Sequence, residues 1–343
     1  MHSGTGKNDT RALFVSGCTV AAHNNRGDEN HFTIFKNGYL AIDSGYRQDN
    51  WYGAWKYHNA SLAHNTILIH DPSERFVEDI QQCENTYKRG SFMWDAAERE
   101  ALYKVHKSHF ADADGGQDKN IGGKCRAFST NSFYSYALGD ATRVYSAKKC
   151  KEFTRQFIHI QPDVFIVFDR VESTDPTFKK EWLLHFLEEP EVNGNLTTAK
   201  VTDEGGVLRC TTLLPENGVI TKIGGPGKEF MGANVNWNGP AKIFKNLQYV
   251  GAWRINLAPK TPAKRDYFLN VIDVGGKPVE GIKMTQNAAT ATVTFTTPQG
   301  RNVTVVFNKT GNPGGRITIK ENGKVLCDEP LTQAVQAQKG FLY

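Results

Sequence analysis

The sequence predicts an all-β protein built as an antiparallel sandwich, and three observations support this prediction. Short segments of alternating apolar and polar residues recur along the chain, and this is the period of half-buried strands. Turn-forming Gly, Asn and Pro residues separate these segments. Strands do not alternate with long helical patterns, so parallel βαβ units are not expected. The content of 20 Phe, 12 Tyr and 6 Trp is also typical of strand-rich proteins.

The alternating segments come in a regular series from the first residues to the last. Strands are predicted at residues 10–17, 64–69, 133–139, 153–160, 164–171, 181–187, 206–214, 219–224, 249–259, 268–274, 290–298, 301–308, 316–323 and 324–330. Residues 94–107 are the best helical candidate. The loop at 46–62 is rich in Tyr, Trp and Asn. The loop at 111–124 is rich in Gly and Asp but lacks EF-hand spacing, so no calcium site is predicted there.

A domain boundary is predicted near Gly275-Gly276-Lys277-Pro278, because the strands beyond it are shorter and richer in Thr and Val. Residues 1–275 would then form the main sandwich, and residues 276–343 a small C-terminal β-sheet domain.

The early hairpin can be predicted in detail. Lys36, Asn37 and Gly38 form a three-residue loop ending in glycine, which suits a type I turn followed by a glycine bulge. This loop predicts that Phe35 pairs with Tyr39. The same register places Thr33 opposite Ala41 and His31 opposite Asp43. A two-residue Asn-Gly turn would shift the register by one and separate the His–Asp pair.

The three-residue loop is favoured because it creates one apolar face. Side chains alternate along a strand, so the large apolar residues of the hairpin would share the core side. These residues are Phe32, Ile34, Leu40 and Ile42.

The hairpin and the next predicted strand bring together residues that ligate metals. His31, Asp43 and His64 would form a set of two imidazoles and one carboxylate, which suits zinc or another borderline divalent ion. The alternative is a His–Asp hydrogen bond and an unrelated histidine.

Charge and composition exclude several classes of protein. The net charge of +5 mildly favours anionic partners, but Lys and Arg are scattered rather than clustered, so no nucleic-acid partner is predicted. There is no 18-residue apolar run, so no membrane span is predicted, and the N-terminus lacks the apolar core of a signal peptide. The six cysteines form no C-x-x-C pair, which argues against a zinc knuckle or a redox motif.

Several runs resemble a known family. GDENHFTIFKNGYLAIDSGY, followed by YHNASLAHNTILIHDP, resembles the C-terminal β region of heparinase II/III-type polysaccharide lyases. The resemblance continues in GDATRVYSAKKCKEFTRQFIHIQPDVFIVFDRVESTDPTFKKEWLLH and WRINLAPKTPAKRDYFLNVID, and covers roughly residues 8 to 274. It implies a β-supersandwich, which in the family follows an N-terminal (α/α) toroid.

The resemblance also implies an activity and a location. Family members cleave uronic-acid polysaccharides by β-elimination: the C5 proton is removed, the carboxylate charge is neutralised, and the oxygen at C4 leaves. An acidic polysaccharide partner and a periplasmic or secreted location are therefore expected. No helical repeat precedes residue 8, so the β part would act alone, with a partner chain that supplies the toroid, or as a homodimer.

The family pattern carries over only in part. Asp43 matches the family's aspartate and His64 the histidine of Ala-His-Asn-Thr, both of which hold zinc in metal-bearing members. The family's His-x-His-x-Asp element has Asn24 and Arg26 at its two histidine places. His23 lies one residue away, and a bulge could restore it.

Candidate catalytic residues follow from the chemistry of C5 proton removal, which needs a base and a charge sink. His23 or His31 would be the base or acid, and Tyr57 the proton donor. Arg26 and Asn65 would bind the substrate carboxylate. The alternatives are a structural tyrosine at Tyr57 and a solvated arginine at Arg26. His185 is predicted to be a core histidine.

Overall fold

The protein was described from a computed structural model. The structure describes residues 1–6, 8–17, 27–45, 57, 60–74, 115–117, 122–232, 235–236 and 250–331. The predicted helix at 94–107, most of the loop at 46–62, and both His23 and Arg26 lie outside these residues.

The regular secondary structure of the described residues is almost entirely β, so the predicted fold class is confirmed. Two short 3₁₀ turns occur at Ser61–Ala63 and Thr142–Val144. The strands in chain order are β1 (Arg11–Phe14), β2 (Phe32–Phe35), β3 (Tyr39–Ala41), β4 (Ile67–His70), β5 (Lys124–Thr130), β6 (Tyr134–Asp140), β7 (Cys150–Ile160), β8 (Val164–Ser173), β9 (Lys179–Phe186), β10 (Glu191–Asn193), β11 (Leu196–Val201), β12 (Gly206–Leu214), β13 (Gly218–Gly224), β14 (Met231–Gly232), β15 (Val235–Asn236), β16 (Trp253–Pro259), β17 (Arg265–Val274), β18 (Glu280–Gln286), β19 (Thr290–Thr296), β20 (Asn302–Asn308), β21 (Gly315–Glu321) and β22 (Lys324–Pro330).

The described strands form three layers of antiparallel sheets. The middle layer is an eight-stranded sheet in the order β10-β11-β12-β17-β8-β7-β6-β5. One face is covered by a three-stranded sheet, β1-β2-β3, together with a four-stranded sheet, β13-β16-β9-β4. The other face is covered by the five-stranded sheet β18 to β22. β14 and β15 form a separate two-stranded ribbon.

β8 shows why the middle strands read as continuous apolar runs. Phe165, Val167 and Val171 pack into the core below the three- and four-stranded sheets. The alternate residues Ile166 and Phe168 pack into the second core, below the five-stranded sheet. A stretch that is buried on both faces therefore has apolar residues at successive positions, as in residues 164–168, rather than only at alternate ones.

The early hairpin partly follows the predicted register. Phe35 pairs with Tyr39 as predicted, and Gly38 has φ +108°. A Cβ on Gly38 would lie 2.8 Å from Cγ1 of Val201, so both the turn and the packing require glycine here.

Beyond the loop the predicted register is wrong. An irregularity next to Phe35 places Ile34, rather than Thr33, opposite Ala41. The extra residue between Tyr39 and Ala41 shifts the pairing by one, as in a β-bulge. All four predicted core residues are nevertheless buried: Phe32, Ile34, Leu40 and Ile42.

The strand predicted at residues 64–69 starts later and lies in another sheet. Ser61–Ala63 form a 3₁₀ turn, His64 caps it, and β4 begins only at Ile67. β4 pairs with β9 instead of the hairpin. His31, Asp43 and His64 therefore lie at strand ends from two sheets, and not on three adjacent strands.

The C-terminal sheet begins just after the predicted boundary but shares a core with the rest. Phe307 of β20 stacks on Phe168 of β8, with ring centroids 4.7 Å apart. Whether residues 276–343 form an independent domain stays a prediction, and removing them tests it.

We expect a chain that ends at residue 275 to lose solubility and cooperative unfolding, because Phe168 and its neighbours would become an exposed apolar face. Size-exclusion chromatography and thermal unfolding measure this. A truncated chain that stays monomeric, with a single sharp transition, would instead establish two independent domains.

No helix in the described part of the chain has the length and apolar character that crossing a membrane would need.

Candidate functional site

The structure brings the three predicted ligand residues together. His31 directly precedes β2, Asp43 follows β3 by two residues, and His64 lies between the 3₁₀ turn and β4. One nitrogen or oxygen atom from each side chain lies within 4.8 Å of the others. The cluster therefore forms where ends of the two covering sheets meet.

One side of the cluster is open. The side chain of Asp43 is 54% exposed, whereas His31 and His64 are almost fully buried. Nδ1 of His64 lies 2.6 Å from Oδ1 of Asp43, and the two imidazole rings are 5.2 Å apart between centroids. A ligand that approaches the cluster from solvent would therefore meet the Asp43 carboxylate first.

Asn65 fixes the positions of the groups around the cluster. Its backbone N–H donates to Nδ1 of His31 at 2.8 Å. Its side-chain amide donates to the carbonyl oxygens of Phe32 and Ile42, at 2.8 and 3.1 Å. Its Oδ1 accepts the backbone N–H of His185 at 2.8 Å. One side chain thus ties both hairpin strands to β9.

These bonds give Asn65 a positioning role in the structure. The residue has no exposed surface, and both amide hydrogens and the carbonyl oxygen are used inside the protein. As described, the amide has no surface to offer to a substrate, which argues against the predicted contact with a carboxylate.

A buried arginine supports Asn65 from the middle sheet. Nη1 of Arg155 donates to the backbone oxygens of Asn30 at 2.6 Å and Asn65 at 2.5 Å. The rest of the guanidinium binds Asp169 through two bonds of 2.7 Å. Neither side chain of this pair is exposed. Arg155 therefore clamps the segments that carry His31 and His64.

Burial controls the protonation of His31. It lowers the pKa of His31 to about 3, against the opposing effect of the Asp43 charge. Burial likewise lowers the pKa of His185. His31 is therefore neutral near pH 7, and because its Nδ1 accepts a hydrogen bond, its single hydrogen lies on Nε2.

The histidines in turn keep Asp43 ionised. Desolvation alone would raise the pKa of Asp43, but the charge and hydrogen bond of His64, with smaller charge effects of His31 and His185 at acidic pH, hold it below its ordinary value. The site therefore presents a carboxylate to solvent across the neutral pH range.

Tyr57 is held away from solvent. It is 2% exposed, its ring lies 5.0 Å from that of Phe230, and its hydroxyl is 3.0 Å from Oγ of Ser44. Ser44 uses its own hydrogen for the carbonyl oxygen of Gly251 at 2.6 Å, so Tyr57 donates to Ser44. Burial raises the pKa of Tyr57. These contacts favour the structural alternative, while its role as proton donor stays a prediction.

Zinc places two demands on the cluster, a free lone pair on each imidazole and a minimum separation of the ligand atoms. Zinc binds an imidazole through a nitrogen that has a lone pair, and ligands around a tetrahedral ion with bonds of about 2.0 Å are about 3.3 Å apart. The lone pair of His31 is used by the N–H of Asn65, and the pair of His64 and Asp43 is closer, at 2.6 Å. The arrangement does not fit a three-ligand zinc site. It fits a hydrogen bond between His64 and Asp43, with His31 beside this pair rather than unrelated to it.

Metal analysis decides between these arrangements. We expect the purified protein to contain no stoichiometric zinc after exposure to zinc and dialysis, and a His64→Ala variant to have the same content, as measured by plasma mass spectrometry. One zinc per wild-type chain and none in the variant would instead support the predicted zinc site. In that case the His31 ring would have to turn away from the N–H of Asn65.

Of the two buried residues that contact Asn65, the sequence predicted one as a core residue and gave no prediction for the other. His185 is completely buried, as predicted, but its contact with Asn65 was not foreseen. Arg155 was missed. Its signal was a lone arginine inside the apolar segment 153–160 and a lone aspartate at the end of VFIVFD, and these two face each other in the register of β7 and β8.

Comparisons with known proteins identify solved structures with a similar fold. Neither a protein-family model nor a curated protein sequence matches the chain. Heparan sulfate lyase HepC from Pedobacter heparinus matches 98% of this chain with a TM-score of 0.57 and 13% identity, and a HepC mutant gives the same TM-score at 14% identity. A heparinase III structure matches 97% of the chain with a TM-score of 0.58 and 11% identity.

The match extends over only part of each of these known structures. It covers 40% to 41% of those proteins, so this chain spans about two fifths of their length. At 11% to 14% identity the likeness concerns the fold alone. The chain therefore shares its fold with heparan sulfate lyases, consistent with their C-terminal β-sandwich region and with the family that its sequence resembles.

Proposed function

We propose that this chain is the β-sandwich part of a polysaccharide lyase that cleaves uronic-acid glycans, heparin- or heparan-like or alginate-like, by β-elimination. The observation that carries the proposal is the fold shared with heparan sulfate lyases along 97% to 98% of the chain. The cluster of His31, Asp43 and His64 supports it, because it lies in the segment that carries the sequence resemblance. A periplasmic or secreted location belongs to the same proposal.

In this proposal the residues divide the work of β-elimination. His23 removes the C5 proton, and Arg26 neutralises the substrate carboxylate, so that charge in the enolate-like intermediate is stabilised. Both precede His31 by eight residues or fewer. The hydrogen bond between His64 and Asp43 fixes the positions of these two side chains at the site. Tyr57 acts as proton donor only if its hydroxyl leaves Ser44.

The direct experiment measures the ultraviolet absorbance of unsaturated uronides. The chain is incubated with heparan sulfate, chondroitin sulfate and alginate, alone and with an (α/α) toroid from a related lyase as a separate chain. Absorbance should rise with at least one glycan. No rise in any combination, from protein with a sharp thermal transition, would remove the proposal for this chain.

A second candidate function is a carbohydrate-binding or structural β-sandwich without catalysis. It is favoured by the closed hydrogen bonds of Asn65 and Tyr57, which offer no group to a substrate. Binding of the same glycans without any rise in absorbance would support this alternative.

A further inference from the structure

A basic cleft lies on the face of the middle sheet opposite the candidate site. Its volume is about 440 Å³, within the range of small-ligand sites, about 300–1,000 Å³. Strand ends of the middle sheet form its floor, and the turn at residues 311–313 of the C-terminal sheet forms one wall.

The alternation along β7 shows that this cleft is separate from the cluster of His31, Asp43 and His64. Thr154 lines the cleft, whereas the next residue, Arg155, points to the other face and holds Asn65. Successive side chains of a strand lie on opposite faces. The sheet itself therefore separates the two sites.

The cleft has a fixed framework of ion pairs. Arg126 pairs with Asp140 at 3.4 Å, and Arg170 with Glu152 at 2.8 Å. Arg265 pairs with both Glu152 and Glu172. Three cations and three carboxylates of the lining thus neutralise one another.

Arg170 also fastens the wall to the floor. Its side chain is 5% exposed, and its Nη1 donates to the carbonyl oxygen of Gly311 at 2.9 Å. The shape of the cleft therefore depends on a buried contact between the two sheets, and not on loose surface side chains.

Three further cations of the lining remain without a carboxylate partner among the described residues. Lys124, Arg143 and Lys151 are exposed and line the same cleft. They come from the start of β5, the second 3₁₀ turn and β7, so the fold collects charges that are scattered in the sequence. The lining has six cations and three carboxylates, a net charge of +3. Such a surface attracts anions.

The character of the lining selects among anionic ligands. It contains no aromatic side chain, so it lacks the stacking surfaces with which proteins bind single-stranded nucleic acid. Lysine and arginine bind sulfate and carboxylate groups through charge-assisted hydrogen bonds. We propose that this cleft is a second binding site for an acidic oligosaccharide, with Lys124, Arg143 and Lys151 contacting its sulfate or carboxylate groups.

The test compares two variants of equal charge. The first is Lys124→Gln/Arg143→Gln/Lys151→Gln. The control is Lys283→Gln/Lys320→Gln/Lys324→Gln, which removes three exposed charges from the C-terminal sheet outside the cleft. Calorimetry at low salt, with a heparin-derived octasaccharide as the probe, measures Kd. We expect the first variant to bind about tenfold more weakly or worse, and the control to stay within about twofold.

Three outcomes would overturn the proposal: an unchanged Kd in the first variant, equal losses in both variants, or tighter binding of a single-stranded oligonucleotide of the same charge. The last outcome would reassign the cleft to nucleic acid. A His64→Ala variant should keep the cleft affinity, which separates this site from the proposed lyase site. Since the measured quantity is Kd and not a rate of cleavage, the result stays interpretable if the lyase proposal fails.

Discussion

An Arg155→Met variant should lose about 3–5 kcal/mol of unfolding free energy, the cost of leaving one partner of a buried ion pair alone. The change leaves the Asp169 carboxylate, which has no exposed surface, without its ion-pair partner. It also removes the bonds to the backbone oxygens of Asn30 and Asn65. Urea unfolding, followed by tryptophan fluorescence, measures the difference.

Two controls make this prediction specific. Arg126→Met removes a half-exposed arginine with a longer ion pair, and should change stability by about 1 kcal/mol or less. Arg155→Met/Asp169→Leu removes both buried charges and should be more stable than the single variant. If Arg155→Met were as stable as Arg126→Met, the buried pair would not organise the site.

A His64→Ala variant should lower the proposed lyase rate about 100-fold, the loss that misplaced groups at an active site cause. The substitution removes the hydrogen bond that holds Asp43 and leaves a space beside the His31 ring. The rate of uronide formation is measured on whichever glycan the wild type cleaves.

Its matched control is His2→Ala, which removes an exposed histidine near the N-terminus and should leave the rate unchanged. Thermal unfolding of both variants separates lost activity from lost structure. A wild-type rate in a folded His64→Ala protein would show that the cluster has no part in catalysis.

Much of the fold could be predicted because its signals are local. The Gln161-Pro162-Asp163 turn marks the end of β7 and the start of β8, and alternation identifies β12 and β20. The hairpin of β10 and β11 was missed, although Gly194 and Asn195 provide a turn signal between them. Its strands are short and mostly polar, so the apolar pattern did not indicate them.

The site was predictable as a group of residues but not as a geometry. The residue types and the hairpin loop predicted that His31, Asp43 and His64 lie close together, and the structure confirms that they do. The bond from the N–H of Asn65 to His31 depends on the 3₁₀ turn and on the irregular register at Phe35. Neither has a sequence signal, and together they determine which imidazole nitrogen retains a lone pair.

The two-faced burial of the middle sheet also limits how this protein can change in length. Adding one amino acid in β7 ahead of Thr154 would reverse the parity of the strand beyond it. Arg155 would then swing toward the C-terminal layer, and Thr154 would take its place under Asn65. A pair of added residues would restore the parity. Relatives of this protein should therefore tolerate insertions in its turns, and within β7 and β8 accept a single added residue only where a bulge absorbs it, as between Cys150 and Glu152.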